Sequence, residues 1–189
     1  DSTVPSGSAT SIATDARFSW SLRGITVNAA GTIIYVNDDN QIKKISTSNG
    51  ATIFSNSLNE YHDKTIVTNI NHTNEWGRSD DGDAATSARF EGPRSIDTDS
   101  SGDIIVADYY GLKKLTVGSE SSAPKFYKVL QKEWDEKEGL VIDSANNMYF
   151  SSKEGNYIYK YVPSSGSLVK VLDTEDGTVD GETASAKIS

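Results

Sequence analysis

The sequence predicts an all-β protein built from four-stranded antiparallel sheets, with one unit repeated three times along 189 residues. Two observations lead to this prediction. Similar stretches recur, and each contains short runs rich in Ile, Val, Tyr and Thr that are bounded by turn residues. In addition, no segment combines a helical period of apolar residues with capping residues.

The recurring stretches align almost without gaps. They are RGITVNAAGTIIYVNDDNQIKKIS from Arg23, RSIDTDSSGDIIVADYYGLKKLT from Arg94, and EGLVIDSANNMYFSSKEGNYIYKYV from Glu138. A linking segment also recurs, as ATDARF at 13–18, ATSARF at 85–90 and TASAKI at 183–188. Repetition of this kind indicates stacked copies of one supersecondary unit.

Each unit is expected to contain four strands. In the second unit they are predicted at Ser95–Asp99, Asp103–Ala107, Leu112–Val117 and Phe126–Gln131. The segments DSSGD, NAAGT and SANN are tight hairpin turns in which Gly or Asn supplies a positive φ. A repeated four-stranded antiparallel unit is the blade of a β-propeller. The expected bounds are blade 1 at 19–58 with an insertion at 59–80, blade 2 at 91–132, blade 3 at 136–174, and a crossover to a further blade at 175–189.

The segment DGDAATSARFEGPRSIDTDSSGDIIVADYYGLKKLT at 81–116 resembles the NHL-repeat family of β-propellers. The first unit departs from it in having Leu22 where the second has Pro93, and the third has Ser151 and Ser152 in place of Ala107 and Asp108. The resemblance implies a ring that usually has six blades. It does not imply one activity, because relatives include enzymes, RNA binders and protein-binding platforms.

Composition excludes several classes of function. The net charge of −9 repels phosphate backbones and acidic membrane surfaces, so no nucleic-acid partner is expected. No apolar run approaches the ~20 residues that a membrane span needs. Cysteine is absent, which removes disulfides, thiolate metal sites and thiol nucleophiles.

The acidic turn of the second unit has two interpretations. Asp97, Asp99 and Asp103 could supply oxygen ligands to calcium around Gly102, or the segment could be a simple hairpin turn. The hairpin is favoured because the first unit has Thr26, Asn28 and Thr32 at these positions, and the third has Val141, Asp143 and Asn147. The acidic tail at 173–182 is a second calcium candidate, and its simpler explanation is an Asp-Gly crossover between blades. No cofactor is therefore expected, and calcium stays open as the weaker alternative.

Catalysis has little support in the sequence. His62 and His72 are the only histidines, and both lie in the expected insertion. No Gly-x-Ser-x-Gly segment or histidine-based triad is present. We therefore expect a non-enzymatic module that binds a protein or glycan. The alternative is a propeller hydrolase or lyase whose catalytic residues lie in blades outside this chain.

The insertion carries two further signals. Asn71-His72-Thr73 satisfies the N-glycosylation pattern, which would fit an extracellular or cell-surface location. Trp76 is expected to cover a blade edge in preference to being an exposed contact residue, because exposed Trp is rare.

Topology predicts the binding face. The crossover into strand one and the loop from strand two to strand three lie at the same end of a blade, where charged and aromatic groups would converge. The candidate binding residues are Arg23, Arg94, Glu138, Asp38, Asp108, Tyr109 and Tyr110. For Asp38 and Asp108, hydrogen bonds that hold their own loops are favoured over ligand contact.

Closure of the ring is the last expectation. A propeller needs about four to eight blades, so three would leave apolar faces exposed at both ends. The expected rows are Ile25, Val27, Ile34 and Val36 at one end and Leu140, Ile142, Met148 and Phe150 at the other. Further blades are expected from a second copy or, preferentially, from the rest of a longer polypeptide, since the chain stops within a repeat.

Overall fold

The computed structural model describes residues 11–12, 17–47, 65–71, 74–116, 124–131, 137–153 and 156–173. These residues form three antiparallel sheets and one short 3-10 helix, Ala85–Ser87, so the all-β class is confirmed. Among them, no helix has both the length and the apolar character needed to cross a bilayer.

The first sheet has the order β1-β5-β4-β3-β2. Its strands are β1 (Ser11–Ile12), β2 (Leu22–Val27), β3 (Ile33–Asp38), β4 (Gln41–Thr47) and β5 (Thr65–Asn69). The fourth strand of the unit, β5, thus lies inside the segment 59–80 that we expected to be an insertion. It pairs antiparallel with β4 from Lys43↔Asn69 to Thr47↔Thr65. The first unit therefore extends at least to residue 69, because pairing with β4 decides membership of the sheet.

The second and third sheets each have four strands in sequence order. The second contains β6 (Ser95–Thr98), β7 (Ile104–Asp108), β8 (Gly111–Leu115) and β9 (Phe126–Gln131). The third contains β10 (Lys137–Ile142), β11 (Met148–Ser152), β12 (Tyr157–Val162) and β13 (Ser167–Asp173). Strand ends in the second unit lie within two residues of those the sequence predicted.

The same hairpin joins the first two long strands of every unit. A side-chain oxygen of Asn28, Asp99 or Asp143 accepts the backbone N–H four residues on, at 2.8, 3.0 and 2.9 Å respectively. The third residue after each has positive φ, namely Gly31, Gly102 and Asn146 at 69°, 79° and 63°. Gly and Asn tolerate this conformation well, so the expected turn chemistry is confirmed.

Each sheet has two chemically distinct faces. We call the face with Ile96, Ile104 and Val106, and its equivalent in the other sheets, the leading face, and its opposite the trailing face. The leading face of the second sheet packs on Tyr35 and Ile42 of the first. The trailing face of the second sheet packs on the leading face of the third through Ile105, Ala107, Leu112, Leu140, Met148, Phe150 and Tyr159. The three sheets therefore stack in one direction.

The direction of stacking shows that the apolar residues expected to be exposed on the third sheet were wrongly predicted. Leu140, Met148 and Phe150 are buried against the second sheet, and Ile142 packs beside them. The exposed apolar residues of the third sheet lie on its trailing face instead and include Val141 and Val169. In the first sheet Ile25 and Val27 are exposed as expected, but Val36 is buried and Ile34 is half-buried. Both ends of the stack present apolar surface, but the faces are of opposite kinds.

Candidate functional site

An open cleft of about 210 Å³ lies between the first and second sheets, at the end where the chain turns from β3 into β4 and from β7 into β8. Its lining residues are Ser21, Arg23, Asp39, Asn40, Trp76, Gly92, Pro93, Arg94 and Tyr109. Both sheets contribute, so the cleft exists only because the two units stack. Arg23, Arg94 and Tyr109 were candidate binding residues, and the structure brings these three together.

The two arginines differ in how they are held. The Arg23 Nε donates to Ser21 Oγ at 3.3 Å, and this is its only side-chain bond to a described residue. Arg94 lies just before β6, and its guanidinium is 3.5 Å from Glu138 Oε1 of β10. Glu138 therefore supports Arg94 from the third sheet and does not line the cleft. An arginine with unused donors suits an incoming carboxylate or hydroxyl group.

The two neighbouring tyrosines, Tyr109 and Tyr110, also have different positions relative to the cleft. Tyr109 lines the cleft, whereas Tyr110 packs edge-on against it with ring centroids 4.9 Å apart. The Arg78 guanidinium lies 3.9 Å from the centre of the Tyr110 ring, and its Nε bonds Glu91 at 3.0 Å. Tyr110 is thus one layer behind the cleft, where its contact with Tyr109 restricts the movement of that ring.

Trp76 forms one wall of the cleft and is 60 % exposed. We expected it to cover a blade edge, and its exposure contradicts that expectation. The ring is set against Gly92, where an added Cβ would lie 3.2 Å from the Trp76 Cζ3 atom. Gly92 has a φ of 65°, so it both permits the turn and leaves room for the indole.

Asp38 and Asp108 are buried behind the cleft and form ion pairs with Lys43 and Lys113. Asp38 Oδ1 accepts the Ser19 N–H at 2.8 Å, and Asp108 Oδ1 accepts the Tyr110 N–H at 3.0 Å. These two carboxylates hold loops, as the favoured interpretation predicted.

The pKa of Asp108 is raised by burial. The ammonium group of Lys113 and the backbone N–H groups of Glu91 and Tyr110 oppose that rise. Asp108 therefore depends on these donors to remain charged in the interior, which ties the loop conformation to the ion pair.

The carboxylates of the acidic turn in the second unit are paired with a lysine of the same sheet. Lys114 lies 2.9 Å from Asp99 and 2.7 Å from Asp103, so an ammonium group occupies the position that a shared cation would take. Desolvation lowers the pKa of Lys114, but the hydrogen bonds that its ammonium group donates to Asp103 and Asp99 outweigh this effect, and the net pKa shift is upward. In the described part of the chain no cluster of three or more potential metal-binding side chains was found.

Asp97 has a different role from the other two carboxylates. It accepts hydrogen bonds from Thr26 Oγ1 at 2.9 Å, from Thr98 N at 2.8 Å and from Ile142 N at 2.8 Å. Thr26 belongs to β2 and Ile142 to β10, so one side chain connects the inner strands of all three sheets. Sequence reasoning considered this residue only as a metal ligand.

Asn71 contradicts the glycosylation expectation. Its side chain is fully buried, and its Nδ2 donates to the carbonyls of Asn40 at 2.8 Å and Ala88 at 3.2 Å. Its Oδ1 accepts the Ile42 N–H at 2.6 Å. A glycan on Nδ2 would remove one of these donor bonds and has no space. His62 and His72 lie outside the described residues, as does the acidic tail beyond Asp173.

Comparison with known proteins gives fold information only. No family model and no curated protein matches the chain. A crystal structure of the extracellular domain of a protein described as a hybrid two component system from B. thetaiotaomicron matches over 85 % of this chain, with 15 % identity and a TM-score of 0.50. A protein of unknown function from Bacteroides caccae matches over 80 % of this chain and 61 % of its own, with 10 % identity and a TM-score of 0.35. The chain spans 18 % of the first of these structures.

Proposed function

We propose that this chain is a non-enzymatic binding module of the NHL-propeller type, which presents the cleft end of its sheets to a protein or glycan partner. The observation that carries the proposal is the composition of the cleft. It combines two arginines with Trp76 and Tyr109 at one inter-sheet junction. Exposed Trp, Tyr and Arg are the residue types that dominate binding surfaces.

We further propose that the sheets are blades of a larger ring. Equivalent residues in neighbouring units support this. Phe90 and Ile96 are 0 and 3 % exposed between the first and second sheets, whereas their equivalents Phe18 and Ile25 are 39 and 68 % exposed. A preceding sheet with a trailing face like that of the second would cover both. Such a sheet would come from a longer polypeptide or from a second copy of this chain.

An extracellular location is part of the proposal. The structure from B. thetaiotaomicron described above is an extracellular domain. The location therefore depends on the likeness in fold.

The binding proposal can be tested with the purified chain on arrays of glycans and extracellular proteins. We expect selective capture that is lost in the double variant Arg23→Gln/Tyr109→Ala and kept in Arg17→Gln, which changes an exposed arginine outside the cleft. Equal melting temperatures would establish that both variants fold. Capture that survives the double variant would contradict the site.

The ring proposal is tested by light scattering after size-exclusion chromatography. We expect self-association or partial unfolding at the exposed leading face of the first sheet. A monodisperse monomer of about 20 kDa that unfolds cooperatively would contradict the proposal.

A further inference from the structure

We propose that the cleft binds a sugar acid, meaning one pyranose ring with a carboxylate, as a residue of an acidic glycan. This inference rests on the proposed function, because it names the ligand class of the same site. Three features of the lining carry it: a cation with unused donors, an aromatic wall, and a set of hydroxyl partners.

The cation is Arg23. Its guanidinium has five N–H donors, and among the described residues its side chain bonds only to Ser21 Oγ. A planar carboxylate accepts two of these donors in parallel, which is the strongest common arrangement for this pair. Arg94 adds a second positive charge and is oriented by Glu138. The chain as a whole has a net charge of −9, so the attraction to an anion is local and acts over the ~8 Å screening length at physiological salt.

The aromatic wall suits a ring with an apolar face. The Trp76 indole is largely exposed, with part of the ring supported by Gly92. Tyr109 lies in the same lining. The cleft volume of about 210 Å³ is below the roughly 300–1,000 Å³ of pockets for drug-sized molecules. It therefore fits one sugar residue better than a long side chain with its backbone.

The hydroxyl partners distinguish a sugar from an acidic peptide side chain. Asp39 Oδ2 accepts the Asn74 amide at 2.9 Å, while its Oδ1 bonds no described residue and is an acceptor for a hydroxyl group. Ser21 and Asn40 line the same space. An Asp or Glu side chain brings only acceptors to the cleft, so it offers no donor to Asp39 Oδ1. A sugar acid satisfies Arg23 with its carboxylate and Asp39 with its hydroxyls.

The test uses the whole chain and three small probes: D-glucuronate, D-glucose, and acetyl-glutamyl-amide as a carboxylate without a sugar ring. The reporter is the indole N–H resonance of Trp76 in a ¹H–¹⁵N NMR spectrum, assigned with Trp76→Phe. A ligand of about 13 non-hydrogen atoms is expected to bind with a dissociation constant of about 1 mM. We expect glucuronate to bind about tenfold more tightly than either other probe.

Arg23→Gln should weaken glucuronate about tenfold and leave glucose unchanged, while Arg17→Gln should change neither. Equal affinity for glucuronate and glucose would overturn the role of the carboxylate. Equal affinity for glucuronate and acetyl-glutamyl-amide would overturn the sugar in favour of an acidic peptide. No response to any probe from a chain that still captures array partners would overturn this inference and leave the proposed function intact.

Discussion

Replacing Asp97 with alanine should destabilise the whole stack, because its carboxylate holds the inner strands of three sheets. The substitution removes the acceptor of the Thr26 hydroxyl and of the Ile142 N–H, together with the local bond to Thr98. A hydrogen bond to a charged group contributes about 1.5–3 kcal/mol. The site is only part-buried, so water replaces some of this. We expect a loss of about 2–4 kcal/mol, which is roughly 4–16 °C in Tm for a chain of this length.

Urea unfolding and calorimetry of the purified chain measure this loss. A double-mutant cycle with Thr26→Val isolates the bond between the first two sheets, and we expect a coupling of about 0.5–1.5 kcal/mol. Asp97→Asn keeps one acceptor and should lose less than Asp97→Ala. Two results would refute the reasoning: additivity of the two single variants, or a calcium-dependent rise in Tm that Asp97→Ala abolishes.

Three further predictions concern single positions. Gly24→Ala should lower the free energy of unfolding in urea by about 1–3 kcal/mol, because the new Cβ would lie 2.9 Å from backbone atoms of β6. The equivalent Gly139→Ala should lower it clearly less, because its Cβ meets only a hydroxyl oxygen at 3.2 Å. Equal losses in the two variants would contradict this account of the packing. Asn71→Ala should lower stability by about 2–4 kcal/mol through its buried hydrogen bonds. When the chain is expressed through a eukaryotic secretory pathway, its intact mass should not change on glycosidase treatment. Hydrogen bonds from Asn147 lower the pKa of Asp143, so its contribution to stability is present above the unfolded value of about 3.9 and is lost as pH falls through the folded value. The difference in stability between wild type and Asp143→Asn at pH 6 should therefore shrink as the pH falls below about 3.9, and a difference that stays constant would contradict the assignment.

Local chemistry explains which parts of the fold could be predicted. The hairpins at Gly31, Gly102 and Asn146 depend on a short-range side-chain hydrogen bond and on one residue with positive φ. Both can be inferred from residue types that lie within four positions of each other. Strand alternation likewise gave the second unit to within two residues. These features need no knowledge of distant partners.

The features that sequence reasoning missed depend on long-range contacts. β5 is recognisable as a strand of the first sheet only through its pairing with β4. Asn71 matches a surface modification pattern, but the carbonyls of Asn40 and Ala88 draw it into the interior. The predicted environment of Trp76 was wrong because its ring packs against Gly92, which lies 16 positions later in the sequence.

The opposite character of the leading and trailing faces gives the stack two unlike ends. Contacts between unlike ends are heterologous, and they produce a closed ring when the rotation per unit closes and an open fibre when it does not. Copies of this chain should therefore associate head to tail, with the leading face of one copy on the trailing face of the next, and in the proposed ring this association closes. A variant with Ile25→Lys would retain a working trailing face but a blocked leading face. Mixed with the unchanged chain, it should cover exposed leading faces with its trailing face and stop assembly at that point.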